Sequence, residues 1–266
     1  DANDFGNLST NRNSSAGMNS STRGVNAMGT EASPVGNVKT IEFITISTQG
    51  NSADFGDATY TASQVAGASN SVRGIFGAGV NELTLNYITL ATLGDAIDYG
   101  DLITERREVG ATASPTRWVI AGGYDDSPGA RLDSIEYTQF STTGNAIDFG
   151  DLTTTARGTA GAQSTTRGVF AGGYISDDTN TIDYITIAST GNATDFGDLT
   201  VGKSKMGAGG SATTGLFGGG VDGSSRLNVI ENITIATTGN GADWGDLSVA
   251  RDRLTAHGDG TPSSLP

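Results

Sequence analysis

The chain contains no cysteine, and this absence excludes several chemistries at once. Without thiols there is no disulfide framework, no thiolate metal site and no cysteine nucleophile. The only histidine, His257, cannot by itself build the usual triads or zinc sites. It lies in a glycine-rich C-terminal stretch, where we expect it to be solvated.

Basic residues are also scarce. Fifteen Lys and Arg stand against 29 Asp and Glu, so the formal net charge is −14. Such a surface repels phosphate groups, which excludes nucleic acid and anionic lipid headgroups as expected partners. No apolar run approaches the ~18 residues of a membrane span, so we expect no membrane insertion. The start Asp1-Ala2-Asn3 lacks the features of a signal peptide. It is not a Met start, which leaves export open.

What the chain does have is an internal repeat. An Asp-aromatic-Gly signature recurs at steps of 44 to 50 residues, at Asp4, Asp54, Asp98, Asp148, Asp195 and Asp243. Five full copies run from Ala16 to Ala58, Ala66 to Leu102, Gly110 to Leu152, Ala160 to Leu199 and Gly207 to Leu247. Repetition at this period is typical of arrays of one supersecondary unit, so we expect residues 1–266 to form a single domain.

Each copy resolves into four short strands separated by turn residues. In the fourth copy we place them at Thr159–Ala162, Gly168–Gly172, Ile182–Ala188 and Thr194–Leu199. Forty glycines and the lack of helical spacing predict almost no helix. The third strand carries apolar residues at both parities, as in Phe43, Ile44 and Ile46, so both of its faces should be covered. Four-stranded antiparallel sheets covered on both faces indicate an all-β fold, a β-propeller with each blade between two neighbours.

Residues of the fourth copy resemble a known repeat. The succession is Arg167-Gly168-Val169-Phe170-Ala171-Gly172-Gly173, then Asp183-Tyr184, then Phe196-Gly197-Asp198-Leu199, then Lys203. It resembles the kelch repeat, and closer still the kelch-like repeats of virion structural and tail-fibre proteins of marine bacteriophages, notably those of cyanobacteria. The resemblance spans the whole chain and implies a kelch-like propeller on a virion or in another extracellular assembly. Other virion or fibre proteins, or a glycan or protein on a host surface, would be its partners.

The copies favour five blades, because a sixth would need second and third strands that are missing. Surplus strands stand at both ends, a fourth-type strand at Asp4-Phe5-Gly6 and a first-type strand at Leu254 to Gly258. We therefore predict a closed five-bladed ring in which the N-terminal strand latches the last blade. In the alternative, the surplus strands pair with neighbouring subunits and support self-assembly.

The most regular motif is Gly-Asn-x-x-Asp-aromatic-Gly-Asp. We interpret it as a turn, because Gly and Asn tolerate positive φ and Asp accepts backbone N–H bonds. The alternative is a calcium site, for which Asn192, Asp195 and Asp198 are the candidates; no other cofactor is indicated. The aromatic residue of the motif should pack between adjacent blades; it is Phe5, Phe55, Tyr99, Phe149, Phe196 or Trp244.

Arginine recurs at two repeat-equivalent places. Arg23, Arg73, Arg117 and Arg167 precede second strands, and Arg12, Arg106, Arg157, Arg251 and Lys203 follow fourth strands. A guanidinium can bridge two acceptors, so these residues could tie adjacent blades through Asp57, Asp101, Asp151, Asp198 or Asp246. The alternative is an anion-binding funnel at the centre of the ring.

Function is best sought where the copies differ. The connections between second and third strands vary in length and chemistry, and in a propeller they emerge on one face. Their candidate binding residues are Tyr124, Asp125, Asp126, Tyr174, Asp177, Asp178 and Arg226. Because no catalytic set converges, we expect a non-enzymatic structural or binding module. The alternative is a glycan hydrolase, which would need two paired carboxylates, and the sequence does not single out such a pair.

Overall fold

The structure, a computed structural model, describes residues 5–254, which form strands, turns and loops but no helix. Before sheet 1 comes the short strand β1 (Arg12–Asn13). Sheet 1 consists of β2 (Ala16–Asn19), β3 (Arg23–Ala27), β6 (Thr40–Thr45) and β7 (Ala53–Asp57), and its connection holds β4 (Thr30–Glu31) and β5 (Gly36–Asn37). Sheet 2 consists of β8 (Ala66–Ser69), β9 (Arg73–Gly77), β10 (Thr84–Thr89) and β11 (Ile97–Asp101).

The remaining strands continue the same plan. Sheet 3 consists of β12 (Gly110–Ala113), β13 (Arg117–Ala121), β16 (Ser134–Gln139) and β17 (Ile147–Asp151), with the hairpin β14 (Tyr124–Asp125) and β15 (Ala130–Arg131). Sheet 4 consists of β18 (Ala160–Gln163), β19 (Arg167–Ala171), β20 (Thr181–Thr186) and β21 (Thr194–Asp198). Sheet 5 consists of β22 (Gly207–Gly210), β23 (Thr214–Gly218), β26 (Val229–Thr234) and β27 (Ala242–Asp246), with the hairpin β24 (Val221–Asp222) and β25 (Ser225–Arg226).

All five large sheets are four-stranded and antiparallel, with the strands in chain order, as propeller blades would be. The described residues include no helix that is long and apolar enough to span a membrane. The predictions for Asp4, for His257 and for most of the strand Leu254 to Gly258 lie outside the described residues.

Hydrophobic residues form four clusters, and each lies between two consecutive sheets. Between sheets 3 and 4, Val119 and Phe149 pack with Phe170 and Ile185. Ile182, on the same strand as Ile185, belongs instead to the cluster between sheets 4 and 5. The two faces of a third strand therefore pack against different neighbouring sheets, which explains why the strand carries apolar residues at both parities.

The first strands lie closest to the centre of the molecule. Strand β2 packs beside β8, β8 beside β12, β12 beside β18 and β18 beside β22. All five line a central cavity of about 220 Å³. The approach is tight: a Cβ on Gly161 would come 2.0 Å from the carbonyl oxygen of Ala111 in the preceding sheet, so this position requires glycine.

The residue two positions before each of the five first strands adopts a left-handed conformation, and a sixth such residue follows the fifth sheet. The residues are Ser14 (φ 58°), Gln64 (58°), Glu108 (54°), Gly158 (69°), Lys205 (55°) and Arg253 (56°). Four of the five consecutive pairs are joined by a backbone hydrogen bond, as from Lys205 N to Gly158 O at 2.8 Å and from Arg253 N to Lys205 O at 2.8 Å. Arg253 thus continues the series one position beyond the fifth sheet.

The repeated glycine-rich motif fastens one sheet to the next. The Gly191 N–H donates to Phe149 O at 2.7 Å, and the Asn192 side-chain oxygen accepts the Asp151 N–H at 3.2 Å. Gly150 in the facing strand has φ 144°, and a Cβ there would come 2.5 Å from the backbone of Gly191. The motif therefore supplies hydrogen bonds and a close approach between sheets, as well as the predicted turn.

Arginines that begin the second strands tie adjacent sheets, but not through the predicted aspartates. The guanidinium of Arg117 lies 4.5 Å from the Tyr137 ring centroid and donates to the Ile187 carbonyl of the next sheet at 2.8 Å. Arg23 and Arg167 make equivalent bonds. The fourth-strand residue Asp57 pairs instead with Lys39, at 3.1 Å. Carbonyls are the better placed acceptors, because the third strand of the next sheet ends beside the guanidinium.

Within the described part of the chain, sheets 1 and 5 each have one face that no other sheet covers. Trp244 of sheet 5 is 61% exposed, whereas Phe55, Tyr99, Phe149 and Phe196 at equivalent positions are 2–3% exposed. Inter-sheet packing of the motif aromatic is thus confirmed for those four residues and wrong for Trp244, against which residues 5–254 place no following sheet. On sheet 1, Ile46 is 45% exposed, while its equivalents Leu90, Phe140, Ile187 and Ile235 are 1–2% exposed.

The part of the N-terminal segment that the structure describes does not join sheet 5, in which β27 is the last strand. Phe5 and Asn7 instead accept hydrogen bonds from the N–H groups of Gly50 and Ser52, both at 2.9 Å. Phe55 and Asp57 accept the same two bonds from sheet 2. Residues 5–7 therefore lie beside sheet 1 as a fourth strand lies beside the sheet that follows it.

Candidate functional site

The connections between second and third strands gather a cluster of cations and tyrosines on one face. Tyr124 and Tyr174 each follow a Gly-Gly pair that ends a second strand. Each pairs its backbone with an arginine of the segment that enters the same sheet, Tyr124 with Arg107 and Tyr174 with Arg157. In sheet 5 the equivalent pair is Val221 with Ser204, so that copy supplies neither a ring nor a guanidinium.

Rings and guanidinium groups alternate along this face. Arg107 and Arg157 lie 5.0 and 4.9 Å from the Tyr124 ring centroid. Arg157 also lies 5.3 Å from the Tyr174 centroid, and Arg131 from β15 lies 5.0 Å from it. We call these five residues the arginine–tyrosine cluster. Since each ring already contacts two cations, the tyrosines hold the guanidinium groups in place.

The carboxylate of Glu108 lies among the cations. Glu108 is within 3.7–3.8 Å of Arg107, Arg157 and Lys205, and its side chain is 9% exposed. Asp126 is the second carboxylate of the cluster and pairs with Arg107 at 2.9 Å. Nε of Arg157 is buried without a hydrogen-bond partner, as is Nε of Arg131. What a ligand can reach is the exposed part of the cluster, 19% of the Arg107 side chain and 25% of the Arg157 side chain.

Asp126 orients the outer end of the cluster. It accepts three hydrogen bonds from Arg107, at 2.9 to 3.2 Å. This bonding raises the pKa of Arg107. Gln64 of the neighbouring connection accepts another bond from Arg107 at 2.8 Å. The guanidinium is thus fixed from two sides, with 19% of its side chain exposed.

The other predicted binding residues have structural contacts. Asp125 is 9% exposed and accepts the Ser127 N–H at 2.8 Å inside its hairpin turn. Asp177 accepts the Asp178 N–H at 3.0 Å, and Asp178 accepts the Gly223 N–H of the next connection at 2.7 Å. The structure thus brings Tyr124, Asp126 and Tyr174 together. Asp178 links the connections of sheets 4 and 5, while Asp177 bonds within its own connection.

Arg226 lies on the same face but outside the cluster. It pairs with Asp252 at 2.6 Å and keeps 66% of its side chain exposed. Burial alone would raise the pKa of Asp252, but the hydrogen bond and charge of Arg226 hold it below the usual value. This residue is a useful reference, because it is a cation on the same face without a ring beside it.

Sequence reasoning missed Arg107, Glu108, Arg131 and Lys205 as site residues. The sequence does contain a signal for the pairing of tyrosine with arginine. Gly-Gly-Tyr occurs only in the two copies whose entering segments carry Arg107 and Arg157. The convergence on Glu108 has no such signal, because it joins residues from three different copies.

The three residues considered for calcium do not act together. Asn192 serves the junction between sheets 3 and 4, whereas the Asp198 N–H donates to Asn240 across the junction between sheets 4 and 5. Asp195 accepts the Gly197 N–H within its own strand at 3.0 Å. In residues 5–254, no group of three or more His, Cys, Asp or Glu side chains is arranged to hold a metal ion.

No protein-family model matches the chain, and no curated protein matches it significantly.

Proposed function

We propose that the five sheets are blades of a kelch-like propeller with six positions, five of them complete. Consecutive packing of the sheets and the central cavity support the propeller. The sixfold series that ends at Arg253 supports six positions. A closed ring of five, as predicted from sequence, would pack sheet 5 on sheet 1 and bury Trp244 and Ile46, which are 61% and 45% exposed. We therefore keep five full blades and replace direct closure by a sixth position.

The function proposed on this scaffold is non-enzymatic binding through the arginine–tyrosine cluster. The observation that carries it is a row of guanidinium groups held by tyrosine rings, with 19% and 25% of the Arg107 and Arg157 side chains exposed, on a protein whose net charge is −14. A ligand for such a row bears repeated carboxylate or sulfate groups, because guanidinium donors match these oxyanions in pairs. An acidic glycan fits this description.

The biological setting follows only from the sequence resemblance. We propose a role in a virion or fibre, or in a similar extracellular assembly, where the cluster would contact a host-surface glycan and other faces would contact structural proteins. Mass spectrometry of purified particles would test this setting.

Binding is tested by retention of the protein on immobilised acidic and neutral polysaccharides. We expect retention only on acidic matrices, weakening as salt rises, since surface charge interactions are screened. Arg157→Gln should abolish it because Arg157 contacts both rings, and Arg226→Gln, the control on the same face, should retain it. Equal loss in both variants, or equal binding to neutral matrices, would contradict the cluster as the site.

A second experiment distinguishes binding from hydrolysis. Soluble acidic polysaccharide is incubated with the protein and assayed for new reducing ends. We expect intact ligand, because Glu108 and Asp126, the carboxylates of the cluster, are paired with cations. Release of sugar that Arg157→Gln abolishes would instead establish a glycan-active enzyme.

A further inference from the structure

We propose that the arginine–tyrosine cluster contains two equivalent subsites for an oxyanion, and that the protein fills one of them with its own Asp126. The other subsite, at Arg157, is open to one carboxylate or sulfate group of a ligand. The inference deepens the binding function proposed above and rests on it for the identity of the ligand. It adds where the acidic group binds and which residue limits the number of groups that bind.

The two subsites follow from the repeat. Arg107 pairs its backbone with Tyr124 where the chain enters sheet 3, and Arg157 pairs with Tyr174 where it enters sheet 4. The Arg107 guanidinium lies 5.0 Å from the Tyr124 ring centroid, and the Arg157 guanidinium lies 5.3 Å from the Tyr174 ring centroid. The same backbone pairing and the same ring contact therefore hold an arginine at both places.

Asp126 fills the subsite at Arg107. Its carboxylate accepts hydrogen bonds from Nε of Arg107 at 2.9 and 3.2 Å and from Nη2 at 3.0 Å, so both of its oxygens face one edge of the guanidinium. A guanidinium binds the carboxylate or sulfate of a ligand in the same two-point arrangement. Asp126 begins the turn between β14 and β15, with 30% of its side chain exposed. It therefore occupies the place that the oxyanion of a ligand would take.

The subsite at Arg157 is open. The guanidinium of Arg157 donates no hydrogen bond to any residue that the structure describes. The Glu108 carboxylate lies 3.7 Å from its Nε, which is beyond hydrogen-bond distance. A quarter of the side chain is accessible, with 25% exposed, so a ligand can reach it.

The connection of sheet 4 explains why this subsite stays open. Ser176 holds the sequence position of Asp126, two residues after the tyrosine. The two carboxylates that follow it, Asp177 and Asp178, accept backbone N–H groups instead. The two copies therefore differ in the one side chain that could pair with the arginine.

A second arginine stands beside the open subsite. Arg131 lies 5.0 Å from the Tyr174 ring centroid, which Arg157 also contacts, and it makes no ion pair with any described residue. Neither guanidinium is hydrogen-bonded to a carboxylate within residues 5–254. The Tyr174 end of the cluster should therefore attract an oxyanion more strongly than the Tyr124 end, where Asp126 already pairs with the arginine.

The test uses the full chain and inorganic sulfate, followed through the arginine Nε–Hε signals in heteronuclear NMR spectra. Sodium sulfate is compared with sodium chloride at equal ionic strength, so that screening is matched. Arg107→Lys and Arg157→Lys assign the two signals. We expect sulfate to shift the Arg157 signal saturably and to leave the Arg107 signal in place. In Asp126→Ser, which copies Ser176, the Arg107 signal should shift as well, whereas the control Asp177→Ser should behave as wild type.

The same variants predict a change in polysaccharide binding. Asp126→Ser frees Arg107 for a second two-point contact, so it should bind immobilised acidic polysaccharide about tenfold more tightly than wild type. Gln64 still accepts a bond from Arg107 at 2.8 Å, which keeps the guanidinium in place. Asp177→Ser removes one negative charge from the same face without freeing an arginine, and its affinity should stay close to that of wild type.

The outcomes separate the subsites from the proposed function. If sulfate shifts Arg107 in wild type, or leaves Arg157 unmoved, the assignment of the subsites is wrong whether or not polysaccharide binds. If Arg157 responds to sulfate but polysaccharide is not retained, the acidic glycan is wrong and the open subsite stands. If polysaccharide is retained through Arg157 but Asp126→Ser binds no more tightly than Asp177→Ser, Asp126 does not fill a subsite, and only the function proposed above remains.

Discussion

At the scale of single residues, a buried polar position on the third strand varies together with the segment that enters the sheet. The third-strand residue is Glu42, Asn86, Glu136, Asp183 or Glu231 in sheets 1 to 5, and the entering residue is Arg12, Ala62, Arg106, Ala156 or Lys203. A buried cation occurs only where the acid is glutamate. In sheet 2, which has no such cation, the Tyr60 hydroxyl donates to Thr84 O at 2.5 Å. The Arg106 guanidinium donates to the equivalent carbonyl of sheet 3, Ser134 O, at 2.9 Å.

We predict that Arg106→Ala lowers the free energy of unfolding by about 3–5 kcal/mol, because it leaves the Glu136 carboxylate buried without its cation. Urea denaturation followed by circular dichroism measures this. The companion variant Arg106→Ala/Glu136→Asn copies the pair in sheet 2 and should recover most of the loss. A double variant no more stable than the single one would show that lost packing, not an unpaired charge, carries the effect.

Asp183 predicts a pH dependence. It is 5% exposed and accepts bonds from Thr153 N and Oγ1, but the entering residue is Ala156. Burial raises its pKa despite these bonds. A raised folded-state pKa means that its contribution to stability is full below the unfolded value, about 3.9, and is lost as pH rises through the folded value. Asp183→Asn should therefore stabilise the protein more at pH 7.5 than at pH 4.

The chain supplies the precedent for this variant. In sheet 2, Asn86 Oδ1 accepts both the N–H and the hydroxyl of Thr59, at 3.0 and 2.7 Å. The measurement is urea denaturation of wild type and variant at the two pH values. A stability difference that does not grow between pH 4 and pH 7.5 would show that Asp183 carries no buried-charge penalty.

At the scale of elements, the fourth strand gains its stability from the next sheet. Phe149 is 2% exposed and packs edge-on against Tyr137, with ring centroids 5.8 Å apart. We predict that Phe149→Ala costs about 3–5 kcal/mol. Trp244→Ala is the matched control, since Trp244 holds the same place but is 61% exposed, and its melting temperature should stay close to that of wild type. Similar losses in both variants would mean that Trp244 is covered in solution.

Elements were largely predictable from sequence, because turn chemistry and apolar alternation act locally. The predicted strands of the fourth copy differ from β18, β19, β20 and β21 by at most two residues at either end. The short hairpins β14–β15 and β24–β25 were read as loops, because two-residue strands carry no detectable alternation. The cluster was half predictable: its tyrosines lie in the variable connections, but its arginines belong to entering segments whose pairing depends on the fold.

At the scale of the whole molecule, closure was the feature that the sequence could not determine. The repeat specifies how one sheet packs on the next, and four such junctions are present. The number of positions in a ring depends on the angle between adjacent sheets. Many small contacts together set this angle, so no single sequence pattern predicts it. The two end copies instead have more polar faces, as capping repeats do. Asn26 stands in place of Phe76 and Phe170, and Asn232 stands in place of Tyr137 and Tyr184.

An open sixth position predicts unequal stability around the ring. Repeat arrays are stabilised by nearest-neighbour interfaces, and sheets 2 to 4 have two such interfaces whereas sheets 1 and 5 have one. Amide hydrogen exchange should therefore be slower in β9, β13 and β19 than in β3 and β23, because local opening costs less free energy at the ends. All five are second strands paired on both sides, so their hydrogen bonding is matched. Equal protection in all five would mean that the outer faces of sheets 1 and 5 are covered in solution, and the six-position arrangement would have to be abandoned for a closed one.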